Sequence, residues 1–177
     1  MKAENGHSSA TPAPETDPGI VITSRVRLAR NVKHFAFPGW LKKADRLKLL
    51  ETIQPAVADI AAMRPAKVAV AMETLTPLDK QLLVEKHLIS REHAAKNAGS
   101  GLVVNGDESL SVMINEEDHI RLQALRPGFQ LLEAWEAADK LDTALEDKLE
   151  FSFSPSLGYL TACPTNVGTG MRASAML

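Results

Sequence analysis

Cysteine is almost missing from this chain: Cys163 is the only one among 177 residues. A lone cysteine excludes an internal disulfide and any cysteine-clustered zinc site, and a reducing cytoplasm becomes the default compartment. No run of 18 apolar residues occurs, so neither a transmembrane helix nor a membrane partner is expected. The N-terminus lacks the apolar stretch of a signal peptide. A surplus of positive charge is also missing: the net charge of -2 argues against a general nucleic-acid binder. No G-x-x-x-x-G-K-[ST] segment is present, which excludes a P-loop. One more absence is local. No acidic residue stands between Pro18 and Ala44, although Arg25, Arg27, Arg30, Lys33, Lys42 and Lys43 all do.

The chain is long enough for one domain with a real core. Residues 1–19 (MKAENGHSSATPAPETDPG) are rich in Pro, Ser, Ala and Gly without a hydrophobic period and read as a disordered tail; residues 20–177 are the folded part. IVITSRVRLAR alternates as a strand, with Val26 and Leu28 on one face and Arg25 and Arg27 on the other. Leu47, Leu50 and Ile53 give residues 44–63 helical spacing, which Pro55 is expected to kink or split. AKVAVAM reads as a short buried strand. Thr76 as N-cap, Pro77 at the first helical position and Asp79 at the third predict a helix start. In GLVVNGDESLSVMI two apolar runs flank Asn105-Gly106, the favoured pair for a tight hairpin, so this part of the sheet is antiparallel. Phe129, Leu132, Trp135, Ala138, Leu141, Leu145 and Leu149 predict one helix with one buried face. EFSFS and GYLTACP read as two more strands. The terminal NVGTGMRASAML begins a glycine-rich turn and an apolar run and then stops, which reads as a fragment of something longer.

Three segments could carry chemistry. In SRVRLAR, Arg25 and Arg27 share a strand face about 7 Å apart. A planar, permanently charged guanidinium fork suits phosphate oxygens, while a solvated basic sheet edge is the plainer reading. NEEDHIR follows directly on an apolar strand, where a charged loop often carries catalytic groups. A carboxylate there could align a nucleophile and take its proton. Alternatively Glu117 and Arg121 form a helix-surface ion pair, and Asn115 or Asp118 caps a helix. In CPTNVGTGMRAS, Gly168, Gly170 and Ala173 fit G-x-G-x-x-A, but the antiparallel surroundings are not a βαβ unit. What remains is a glycine turn that lets backbone amides approach an anion, or an ordinary turn beside an inert thiol. His87 could stack on a base or simply favour a helix C-terminus.

In this order, SRVRLAR, NEEDHIR and CPTNVGTGMRAS resemble the signature segments of the ATP:guanido phosphotransferases, over residues 20–177. VEKHLIS, NEEDHIRLQ and PGFQLLEA look like the bacterial protein-arginine kinase branch. Only 23 residues precede Ser24, too few for the helical domain that metabolite-phosphorylating members carry. The resemblance implies an α+β fold, an antiparallel β-sheet flanked by helices, representing the N-terminal part of a catalytic domain. It implies transfer of the γ-phosphoryl group of ATP to arginine side chains of proteins, with ATP and Mg²⁺ as cofactors and no metal-ligating side chains assigned. Arg25, Arg27, Arg121 and Arg172 would hold the ATP phosphates, and His87 would contact the nucleotide. Arg30 lies in the motif as a weaker candidate. Glu117 would orient the substrate guanidinium and take its proton, with the Cys163 thiol alongside. Partners implied are arginine-containing proteins, an activator protein and Clp protease components of a bacterial stress response, and a homodimer of the full-length protein. A further phosphate-binding arginine and a second substrate carboxylate would lie downstream, so the isolated chain is expected to be inactive and poorly soluble. A kinase for free arginine or another small guanidino compound, and a non-catalytic ATP- or partner-binding regulator, are the alternatives.

Overall fold

The computed structural model describes residues 20–177; the predicted tail, residues 1–19, lies outside the described residues. Six strands build the main sheet: β1 (Thr23–Arg30), β2 (Ala66–Ala71), β3 (Gly101–Asn105), β4 (Leu110–Ile114), β5 (Ile120–Pro127) and, last in the chain, a strand over Met171–Met176. Two short strands, β6 (Phe153–Ser154) and β7 (Gly158–Tyr159), precede that last strand, which is therefore β8. The main sheet runs β2-β3-β4-β5-β1-β8 and every pairing in it is antiparallel. The helices are α1 (Lys43–Ala58), α2 (Pro77–Glu85), α3 (Arg91–Ala94) and α4 (Leu131–Glu146). The expected α+β architecture is therefore present. No helix among the described residues is long and apolar enough to cross a membrane.

Alternation divides the sheet into two faces with different tasks. Val26, Leu28, Val112, Ile114, Ile120, Leu122 and Ala124 point to one face. They pack against Leu49, Leu50, Ile53 and Val57 of α1 and against Ala134, Ala138, Leu141 and Leu145 of α4. On the other face, Leu102, Val104 and Met113 pack against Met72, Leu83, Leu88 and Ile89. This second cluster covers the β2-β3-β4 side and reaches β5 at Leu125. The rest of the β5-β1-β8 end of that face carries Arg121, Gln123, Arg25, Arg27, Arg172 and Ser174.

Several local expectations need correction. Pro55 does not split α1, which runs through it and ends within a turn at Ala58. A proline there leaves only the Glu51 carbonyl without its helical donor, so the cost falls on one exposed bond near an end. AKVAVAM is a strand but not a buried one: β2 is an edge, with Ala66, Lys67 and Ala69 exposed. The 101–114 hairpin is present, yet Asn105-Gly106 is not its two-residue turn. Asn105 closes a longer loop, accepting from Glu108 N at 3.2 Å on its carbonyl and from Leu110 N at 2.9 Å on its side chain, and the left-handed residue is Glu108 (φ 61°). In α4 the buried stripe is Ala134, Ala138, Leu141, Asp142 and Leu145, while Phe129, Leu132 and Trp135 are exposed. Steps of three and four from Ala134 define a stripe rotated away from Leu132. EFSFS and GYLTACP do not join the main sheet; β6 and β7 pair with each other, and single bridges link Tyr159 to Gly168 and Phe151 to Val32. The Thr76 cap is present as a full capping box with Asp79, an arrangement worth about 1 kcal/mol.

Candidate active site

The register of three strands assembles the site. Arg27 on β1 stands directly opposite Arg172 on β8 and Gln123 on β5. Arg25 stands opposite Ser174 and Leu125, and Arg121 opposite Ala29 and Met113. Opposed residues share a face, so Arg25, Arg27, Arg121 and Arg172 all project from the side of the sheet that α1 and α4 leave open. Val26, Leu28, Leu122 and Ile120 hold this register by burying the opposite face, since a one-residue slip would turn those side chains to solvent.

Like charges placed directly opposite destabilise a sheet. The consequence is visible at Arg27. Burial first, then Arg25, Arg121 and Arg172, lower its pKa to about 10, with Glu116 opposing. Burial, Arg172 and Arg121 likewise lower that of Arg25. Both remain cationic at neutral pH, so the cluster is a concentration of positive charge that an anion would relieve.

Acidic groups enter from the turn joining β4 to β5. Asn115 takes a left-handed conformation (φ 58°) and its side-chain amide donates to Gly99 O at 2.7 Å and Arg46 O at 3.0 Å. No helix follows, so neither Asn115 nor Asp118 is a helix cap. Glu117 and Arg121 do pair, Oε2 to Nη2 at 2.5 Å, but across the base of a strand–strand turn and not along a helix. Glu116 is buried; its Oε1 accepts from Ser90 Oγ at 2.9 Å and its Oε2 lies 2.6 Å from Arg121 Nη1. The second contact is a close ion pair without the alignment of a hydrogen bond. Arg121 is thus held by two carboxylates, one buried and one half-exposed.

Cys163 arrives on a third segment. It precedes a turn of 3-10 helix (Pro164–Asn166) and its Sγ lies 2.9 Å from Thr165 Oγ1. With Arg27, Arg121, Arg172, Glu116 and Glu117 it lines an open cleft of about 560 Å³. The glycine turn completes the wall. Gly170 is left-handed (φ 63°), and a Cβ there would come within 2.6 Å of both Ala29 O and Arg30 Nη1, so the close approach of this turn to β1 requires glycine.

Three expected residues, Arg25, His87 and Arg30, do not line this cleft. His87 sits beyond the end of α2 in a left-handed conformation (φ 59°) and, with Arg25, lines a separate hollow of about 150 Å³. Arg30 points the opposite way from Arg27 and is not available to a ligand in the cleft. It is buried, donates to Asp142 Oδ2 at 2.6 and 3.1 Å and to Thr169 O at 2.8 Å, and stacks 3.6 Å from the Tyr159 ring centroid.

Sequence reasoning missed Glu116, Glu92 and Lys96, which also line the cleft. Glu116 could have been found, since it is the neighbouring carboxylate in the same charged turn as Glu117. Glu92 and Lys96 come from the α3 region and carry no motif. Among the described residues no three His, Cys, Asp or Glu side chains converge as a metal site. The cleft carboxylates Glu116 and Glu117 are both taken by Arg121, so these residues do not form a cage for Mg²⁺, and no step is assigned through one.

Residues 48–177 match the model of the ATP:guanido phosphotransferase C-terminal catalytic domain. The protein-arginine kinase of Halothermothrix orenii is 47% identical over 174 residues, covering 97% of this chain, β1 included, and 48% of that protein. That of Syntrophomonas wolfei is 50% identical over 161 residues, 89% of this chain and 45% of that protein. The chain thus spans about half the length of the curated relatives it matches. Among solved structures, the duplicated taurocyamine kinase from Schistosoma mansoni with bound transition state analog components superposes with a TM-score of 0.85 at 28% identity, over 97% of this chain and 26% of that one. Lombricine kinase superposes at 0.79 and 24% identity, over 90% and 48%, a likeness of fold alone. The family model takes in the acidic turn, the cysteine segment and the glycine turn, and the chain belongs to the ATP:guanido phosphotransferase family.

Proposed function

We propose that the protein transfers the γ-phosphoryl group of ATP to arginine side chains of other proteins. The observation that carries this reading is the direct opposition of Arg27 and Arg172 with Arg25 and Arg121 beside them. Phosphoryl transfer asks mainly for positioning and for neutralisation of the charge on the transferring group. Four guanidinium groups on one face offer that. Arg27, Arg121 and Arg172 hold the phosphates, and Arg25 with His87 flanks the nucleoside end in the adjoining hollow. Mg²⁺ enters with the nucleotide as part of the substrate.

Glu117 supplies the other half. The substrate guanidinium displaces Arg121 from Glu117, and the phosphates take up Arg121 in exchange. A guanidinium has a pKa above about 12 and cannot be deprotonated in advance. The nitrogen therefore attacks Pγ while its proton passes to Glu117, the N–P bond forms, and the bond from Pγ to the ADP oxygen breaks. Cys163 stands on the same wall and helps seat the guanidinium.

Protein substrates are favoured over small guanidino compounds by the level of likeness. Relatives at 47–50% identity are named protein-arginine kinases, while the taurocyamine kinase stands at 28%. A cytoplasmic location fits the single free cysteine. An activator protein, Clp protease components and homodimerisation belong to the same proposal through the family resemblance.

The test is to offer the full-length protein labelled ATP with an arginine-rich protein and free arginine side by side. Acid-labile label on the protein supports the reading. Label on free arginine alone would replace it with a small-molecule kinase. Nucleotide binding without ADP release in either case would replace it with a non-catalytic regulator.

A further inference from the structure

The two side chains proposed to meet the guanidinium come from segments with no strand pairing between them. Glu117 lies in the β4–β5 turn, whereas Cys163 follows β7, which pairs with β6 and bridges to Gly168. One buried carboxylate ties these segments together. Asp118 is fully buried, and its Oδ1 accepts from Ala162 N at 2.7 Å and from Asn31 Nδ2 at 2.6 Å. Ala162 immediately precedes Cys163, as Asp118 immediately follows Glu117.

Asn31 completes the clamp. It is buried just after β1, donates also to Leu160 O at 3.1 Å, and accepts from His119 N at 3.0 Å on its Oδ1. His119 in turn accepts from Val32 N at 3.0 Å on Nδ1 and donates to Ala36 O at 2.9 Å from Nε2. Three separate stretches are thus fastened at one point: the end of β1, the acidic turn, and the segment that leads to the thiol. A charge-assisted bond from a backbone amide to a buried carboxylate is among the stronger hydrogen bonds a loop can have.

We infer that Asp118 is a positioning residue for the transfer reaction, fixing the segment that carries Cys163 against the turn that carries Glu117. It touches neither substrate in this role. Its removal frees the Cys163 segment, and a displacement of 1 Å at a reacting pair can cost about a hundredfold in rate.

This inference rests on the function proposed above, so its test includes a readout that needs no catalysis. Cys163 is the only thiol in these 177 residues, so alkylation by iodoacetamide, followed by mass spectrometry on the peptide that carries Cys163, reports the mobility of that segment in the full-length protein. In Asp118→Ala, alkylation should accelerate about fivefold or more, while turnover falls at least about tenfold with the KM for ATP unchanged within about twofold. Asp118→Asn keeps an oxygen that can accept from Ala162 N and should restore slow alkylation and most of the turnover, even if it lowers thermal stability. Equal behaviour of the Ala and Asn variants, or unchanged alkylation in Asp118→Ala, would overturn the inference. Should both variants fail to fold, hydrogen exchange of the unmodified protein decides. The Ala162 amide should exchange at least about tenfold more slowly than its loop neighbours, and exchange as fast as theirs would refute the clamp. Altered alkylation in a protein that transfers no phosphoryl group would keep the clamp and remove the proposed reaction.

Discussion

Arg121 and Glu117 are closed on each other, Nη2 to Oε2 at 2.5 Å, so the group proposed to grip phosphate occupies the group proposed to take the substrate's proton. Each blocks the other until both substrates arrive. Glu116 stays on Arg121 from beneath, so the arginine keeps an anchor when Glu117 is given up to the guanidinium. Binding of nucleotide and guanidinium is then expected to be cooperative, each releasing the side chain that the other needs.

Glu117→Gln tests the proton acceptor directly. The amide can still accept a hydrogen bond but cannot take the proton, so turnover should fall by about a hundredfold or more. Nucleotide affinity should hold or improve, because Arg121 loses a competing carboxylate. Quantifying acid-labile phosphoarginine alongside nucleotide binding by calorimetry checks both. Normal turnover in this variant would sink the assignment.

Arg27 and Arg172 predict an opposite sign for free and bound protein. Their direct opposition costs the unliganded sheet a few tenths of a kcal/mol to about 1 kcal/mol. Arg172→Gln should therefore leave the free protein's Tm unchanged or raised by a degree or two. The same change, and Arg27→Ala, should weaken ATP about tenfold to a hundredfold, since each removes a charge-assisted contact worth about 1.5–3 kcal/mol. Affinity for the arginine substrate should change far less. The reverse order would show that these arginines do not hold phosphate.

The alternation of SRVRLAR made the two faces of β1 legible, because Val26 and Leu28 had to be buried and Arg25 and Arg27 then had to share the other side. The same alternation turns Arg30 to the other side. Arg30 belongs to the same motif, but its side chain falls on the helix-facing side, and only the tertiary fold supplies Asp142 from α4 to receive it. For α4, spacing put Phe129, Leu132 and Trp135 on the buried face, and the sheet instead took the stripe through Ala134 and Ala138, whose small side chains permit close packing. The acidic turn was recognisable by composition, but its helix alternatives could be rejected only once β5 was seen to start at Ile120. Asn31 carried no signal at all, since its importance lies in a contact 87 residues away in sequence.

Arg30 should behave unlike Arg27 in every assay. Burial raises the Asp142 pKa while the Arg30 guanidinium holds it down, which marks a pair whose members depend on each other. Arg30→Met would leave Asp142 buried without a partner and should destabilise the fold by about 3–5 kcal/mol. Arg30→Met with Asp142→Leu should recover much of that loss. Urea unfolding of the single and double variants gives the coupling. A stable Arg30→Met protein with weakened ATP binding would return Arg30 to the phosphate site.

Two buried histidines set an acid limit. His93 and His119 are each lowered to about 4, chiefly by burial, against bonds to Gly101 O and Ala36 O that favour the charged ring. Their folded values lie below the unfolded value of about 6.5, so between those pH values the unfolded state binds more protons. The stability they contribute is full above about pH 6.5 and is lost as pH falls towards 4. Each accounts for roughly 3 kcal/mol over that interval. The urea midpoint should accordingly fall steeply between pH 6.5 and 4. His93→Gln should flatten that slope by up to one proton while retaining a donor for Gly101 O. A slope unchanged in this variant would mean that His93 is not held neutral in the folded protein.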